Sequence, residues 1–151
     1  MQQDSEPISS QPYNRPFFRL YENFFLVLRD TLGEDEALGL MRRVFSKALG
    51  ESYESSGFTQ GSTSDFARVV GERDESVGLH VAFLNIADDG LVYRFHTDPF
   101  PGLKGEVEPG KLDATYIEFK VSCLLGRGWK YQTTRHLWDG DDFTEHVIKR
   151  A

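Results

Sequence analysis

The side chains best equipped for chemistry lie late in the chain. Between Trp129 and Lys149 stand two histidines, His136 and His146, with Arg135, Glu145, Trp138 and a turn in which Asp139, Asp141 and Asp142 surround Gly140. Read as a hairpin with Trp138 opposite Phe143, this segment sets His136 against Glu145 and His146 against Arg135. A carboxylate beside an imidazole can orient one ring nitrogen while the other works as a base. Alternation along a strand sends the two histidines to opposite sides, which disfavours a metal shared between them. A polar cross-strand pair on a wet face is the plainer reading of His136 and Glu145. The Asp139–Asp142 turn lacks the spaced oxygens and terminal Glu of a calcium loop and reads as an exposed turn.

Cys123 is the only thiol. In a strand over Tyr116–Leu124 it shares a side with Ile117, Phe119 and Val121, so a buried and inert cysteine is the first expectation. A nucleophilic role requires a base or a positive field that lowers its pKa from about 8.5. His96 and Asp98, two apart where a hairpin opens into a proline-rich stretch, can point the same way, with Arg94 and the cross-strand His80 nearby. That group can hold a carboxylate or activate water. Arg127, Lys130 and Arg135 are the best-placed cations for an acidic small molecule. The candidate catalytic set is therefore Cys123, His136 and Glu145. The candidate ligand-contacting set is His96, Asp98, Arg127, Arg135, Trp129 and Trp138. No metal or other cofactor is called for.

The elements that must position these residues divide the chain in two. Met1 to Pro16, interrupted by Pro7, Pro12 and Pro16, reads as a flexible arm, and residues 17–151 as one domain. Phe18, Tyr21, Phe25 and Leu28 recur at three and four positions, predicting a helix that stops at Gly33. A second helix is expected from Glu34 to about Leu49, with Glu34, Asp35 and Glu36 at its positive end. Ser52–Ser64 reads as a loop, followed by a short helix over Asp65–Val70 that starts from Thr63 or Ser64. Gly61-Ser-Thr-Ser lacks the later glycine and lysine of a phosphate loop. Strands are expected over Leu79–Ile86 and Leu91–Thr97 about an Ala87–Gly90 turn, then over Tyr116–Leu124, Trp129–Trp138 and Phe143–Lys149, with a wide loop between Pro99 and Gly110. The fold class is α+β: an N-terminal helical hairpin packed on a largely antiparallel β-sheet.

Composition narrows the function. Twelve Phe, six Tyr and two Trp among 151 residues make an unusually aromatic core, whose large planar side chains can leave a cleft for a ligand but for any single ring more readily just fill space. With 24 acidic against 17 basic residues the formal charge is −7, and no run of Lys or Arg exceeds a pair, so nucleic acid is not an expected partner. No apolar run approaches the roughly 20 residues that cross a bilayer. The N-terminus lacks a basic start followed by an apolar core, which makes the cytoplasm the default compartment.

Thr134-Arg-His-Leu137 followed by Gly140-Asp-Asp-Phe143, together with the helical stretch Tyr21–Ala48, resembles the L-2-amino-thiazoline-4-carboxylic acid hydrolase family and, more distantly, the 4-vinyl reductase small-molecule-binding domains. The resemblance can span residues 17–149. It implies a pocket between helices and sheet and hydrolysis of a small cyclic amidine or thiazoline carboxylate. Arg135 or Arg127 would then orient the ring, and His136 with Glu145 would activate water or Cys123. The family's cysteine after the Gly-Asp pair is replaced around Asp142-Phe143, and its Cys-Pro feature has no match near Thr97-Asp-Pro99. Two alternatives stand beside the hydrolase: a non-catalytic domain that binds a small, in one form carboxylated, organic ligand, and a structural homo-oligomer.

Overall fold

The computed structural model describes residues 11–151. Helices α1 (Arg15–Leu32) and α2 (Glu34–Ser55) form an antiparallel hairpin, α3 (Thr63–Ser76) follows, and α4 (Pro109–Leu124) sits between the two halves of the sheet in sequence. Strands β1 (Val81–Ala87), β2 (Gly90–Phe95), β3 (Trp129–Arg135) and β4 (Thr144–Arg150) pair antiparallel throughout in the order β1-β2-β4-β3. This is the α+β layering expected from the sequence, with one added helix.

α1 begins where the Asn14 side chain accepts from the Phe17 amide at 3.2 Å and ends at Gly33, whose positive φ of 92° suits a residue without Cβ. Arg15 and Pro16, placed in the arm by sequence, are instead its first turn. Tyr13 is also held, stacking on Phe18 and donating its hydroxyl to the Pro99 carbonyl at 2.7 Å. The first ten residues of the expected arm lie outside the described residues.

α2 runs six residues beyond Leu49, because Tyr53 supplies another buried apolar position on the stripe of Ala37, Met41, Phe45 and Leu49. α3 is longer than expected as well, and its start is set by a reciprocal cap. Ser62 Oγ accepts from the Asp65 amide at 3.1 Å while Asp65 accepts from the Ser62 amide at 3.1 Å. Ser62→Ala is expected to cost about 1 kcal/mol in urea-unfolding free energy, the usual worth of such a cap.

The principal correction concerns Tyr116–Leu124, which is helix and not strand. Pro109 and Gly110 do not prolong a loop. Pro109 occupies the first turn of α4, where its missing N–H costs nothing. The helix buries Leu112, Asp113, Tyr116, Ile117, Lys120, Val121 and Leu124. Two of those positions are charged, which broke the apolar 3.6 period that would have revealed the helix.

The core lies between the helices and the inner face of the sheet. Leu91, Tyr93 and Phe95 of β2 and His146 and Ile148 of β4 point inward, and Phe25, Phe66 and Ile117 are fully enclosed with them. Each of the aliphatic and Phe side chains among them contributes about 1.5–3 kcal/mol through burial. Glu22, also fully buried, accepts from Arg15 and Arg19 at 2.9 Å and from the Gly102 amide at 2.8 Å, tying α1 to the loop before α4.

Candidate functional site

Two linked features occupy the core beneath α1. The first is a partly open cavity of about 60 Å³. A single water needs about 10–15 Å³, so the space suits a few waters or one small ring. Its walls are aromatic, with Phe17, Phe18 and Tyr21 from α1, Phe45 from α2, Phe95 from β2 and Tyr116 from α4. Arg73, Asp74 and Lys120 supply its charges.

Lys120 projects from the buried side of α4 and is 3% exposed. Its Nζ donates to Asp74 Oδ1 at 3.1 Å and to the Tyr93 hydroxyl oxygen at 2.9 Å, and the Tyr93 hydroxyl donates to Asp74 Oδ2. An ammonium has three protons, and two are used here. The Nζ also lies 5.3–5.6 Å from the ring centres of Tyr93, Phe95 and Tyr116. Burial pushes the Lys120 pKa down; Asp74 offsets this in part, while the like charge of Arg73 adds to it. Burial and the negative charge of Asp74 push Tyr93 well above the ordinary phenol value, so it acts as a donor and not as an anion.

The second feature adjoins the first across Tyr116. The Tyr116 hydroxyl donates to Asp113 Oδ1 at 3.1 Å, and His136 Nε2 lies 2.9 Å from Asp113 Oδ2. His136 Nδ1 accepts the Trp138 amide at 3.0 Å, which makes Nε2 the protonated nitrogen of the neutral ring. Burial presses the His136 pKa down, but the hydrogen bond and charge of Asp113 outweigh it and hold the value above ordinary. The Trp138 indole donates to Asp98 Oδ2 at 2.6 Å, and the Phe100 amide to Asp98 Oδ1 at 2.9 Å. Burial raises the Asp98 pKa more than these two donors lower it. The space among these groups is about 10 Å³, at the lower limit for one water.

The candidate residues are therefore partly assembled. His136, Asp98 and Trp138 line one small space, together with Asp113, which the sequence reading did not consider and which His136 contacts. His136 does not pair with Glu145. The ladder sets Arg135 opposite Glu145 and Thr133 opposite His146, with an irregularity at Thr134, and a one-residue slip exchanges the faces of a strand. His136 lies past the end of β3 and caps the turn Leu137–Asp139. Glu145 faces outward, accepting from Arg94 at 2.8 Å and Thr134 at 2.7 Å, and these bonds lower its pKa. Arg94 lies 4.2 Å from the Phe143 ring centre, and Arg135 5.8 Å from it. His96 packs on Phe143 as well and does not line the space that holds Asp98.

Cys123 occupies the last turn of α4, half-buried, and burial followed by the charge of Glu54 raises its pKa, the reverse of nucleophile activation. Arg127 is exposed in the loop after α4. Trp129 sits under Arg150, 5.1 Å from its guanidinium, beside an open surface groove. Cys123, His136 and Glu145 thus lie in three separate places, His136 alone of them in the interior. Among the described residues no three His, Cys, Asp or Glu side chains are placed to hold a metal ion, and no helix is long and apolar enough to cross a membrane.

The lysine–aspartate–tyrosine cluster was missed for one physical reason. Asp74 and Lys120 are ordinary in composition, and only the placement of α3 against α4, 46 residues apart in sequence at this contact, brings them together.

The cavity and its aromatic walls lie between the helices and the antiparallel sheet. The chain is similar in structure to the phenol-responsive sensory domain of the transcription activator PoxR, solved with phenol: TM-score 0.57 and 16% identity over 91% of this chain and 74% of that one. At that identity the likeness establishes the fold. No family model matches the sequence, and no curated protein matches it.

Proposed function

We propose that this protein is a non-catalytic small-molecule-binding domain whose ligand is a monocyclic aromatic compound held in the cavity under α1. The observation that carries the reading is a partly open aromatic space with a buried, incompletely used ammonium in its wall. Apolar walls with a few placed polar groups are the general form of small-ligand sites. The sensory domain with the similar fold binds phenol, which supports the same class of role here. The resemblance of the Thr134–Phe143 hairpin to 4-vinyl reductase small-molecule-binding domains fits this reading as well.

Hydrolysis of a thiazoline carboxylate has less support, because Cys123, His136 and Glu145 do not converge and the thiol is not activated. Self-association is favoured by one observation: Leu20, Phe24 and Val27 of α1 are 57%, 54% and 63% exposed. Light scattering after size exclusion reads that property independently of ligand binding.

Titration calorimetry with phenol, benzyl alcohol and benzoate tests the binding reading. At least one compound is expected to bind once per chain with a Kd below about 1 mM. Ala48 lines the cavity, and Ala48→Phe is expected to weaken that binding by about tenfold or more by occupying the space, equivalent to about 1.4 kcal/mol. Failure of all three compounds to bind, or binding unchanged by Ala48→Phe, would overturn it.

A further inference from the structure

Three charged side chains line the cavity, and their balance selects a ligand. Arg73 and Lys120 are cations and Asp74 is the single anion. Asp74 is already committed to Lys120 at 3.1 Å and to the Tyr93 hydroxyl. Arg73, half-buried in the last turn of α3, makes no salt bridge among the described residues; its guanidinium lies 5.9 Å from the centre of the Phe17 ring at the cavity wall. Its charge is close enough to Lys120 to work against the ammonium. The cavity therefore holds one positive charge in excess, in surroundings where apolar walls weaken screening.

An uncharged ring leaves that excess in place. A ring carrying a carboxylate fills the aromatic space and neutralises it, accepting the unused Lys120 proton and a fork of Arg73 donors. Resting on the cavity-binding reading above, we infer that the site selects monocyclic aromatic carboxylates over uncharged rings of the same shape, with the carboxylate at the Arg73–Lys120 end. Both cations are needed for this. Lys120 alone is matched by Asp74, and it is Arg73 that tips the balance.

Benzoate and benzamide provide the comparison, since they share a ring and a planar substituent and differ by one charge. Calorimetric titration of the full chain at pH 7.5 and low salt is expected to give benzoate a Kd about tenfold below that of benzamide, and added salt is expected to narrow the gap. Arg73→Gln, at a half-buried position, is expected to weaken benzoate binding about tenfold more than benzamide binding and so remove most of the preference. Lys120→Arg, which keeps the charge, provides a second variant; benzoate is expected to remain preferred. If benzamide binds as tightly as benzoate, or Arg73→Gln weakens both equally, the inference is overturned while the cavity still binds rings. If neither compound binds, and phenol and benzyl alcohol also fail, the cavity-binding reading falls and the inference with it.

Discussion

Replacing Lys120 by methionine is expected to lower the unfolding free energy by about 3–5 kcal/mol, the cost of leaving a buried carboxylate without its cation. Asp74 is 3% exposed, and its remaining partner would be the Tyr93 hydroxyl. The methionine stem fills much the same volume, so the loss is electrostatic and does not come from packing. The double variant Asp74→Asn with Lys120→Met is expected to recover most of the deficit, because it removes the stranded charge together with its partner. Urea unfolding of the wild type, both single variants and the double variant closes the cycle. A single variant within about 1 kcal/mol of wild type would show that the pair is hydrated in solution.

Acidification is expected to destabilise the protein through His146. This side chain is fully enclosed, with its Nδ1 2.9 Å from Thr133 Oγ1 and its ring against Tyr93, Phe95 and Tyr131. Burial lowers its pKa from 6.5 to about 4, with the charges of Lys120 and His136 adding to the effect and that of Asp113 opposing it. The unfolded chain takes a proton below pH 6.5, whereas the folded one resists until about pH 4. His146 therefore contributes full stability above pH 6.5, and that contribution is lost as pH falls from 6.5 towards 4. The full loss corresponds to about 3 kcal/mol, of which about 2 is gone by pH 5.

His136 behaves in the opposite sense. Its raised pKa gives stability that is complete below 6.5 and fades as pH rises through the folded value, so the two histidines act in separate windows. His146→Phe, which leaves only the exposed Thr133 hydroxyl without its partner, is expected to flatten the decline between pH 6.5 and 5. A wild-type His146 that titrates near 6.5 by NMR would contradict this account.

How much of this was legible beforehand depended on whether local pattern or distant contact decided the outcome. α1, the start of α2, the Ala87–Gly90 hairpin and the pairing of the last two strands followed from periodicity and turn residues, which act within a few positions. α4 was misread because Asp113 and Lys120 sit on its buried side, and a charged residue there makes a helix look like an alternating strand. The same two residues build the polar part of the site. Local rules failed where the chain gives up regularity for chemistry. The His136–Glu145 pairing failed for a smaller reason. The turn Leu137–Asp139 with Gly140 at φ 91° takes up length that a two-stranded extension would have used, and every facing pair above it changes. Aromatic content was compatible with a solidly packed core as well as with a cavity, and the rings that line the space come from α1, α2, β2 and α4, which only the tertiary arrangement brings together.

The cluster under α1 draws Asp74 from α3, Tyr93 from β2 and Lys120 from α4, so no excised fragment can reproduce it. A half-docked chain offers a guest nothing to hold. Any compound that enters must then transfer its entire association free energy to the native state, about 2.7 kcal/mol at a hundredfold excess over Kd. Heat denaturation becomes a direct gauge of occupancy, and a library of candidate molecules can be sorted by the rise in Tm alone, before any of them has been assigned a biological role.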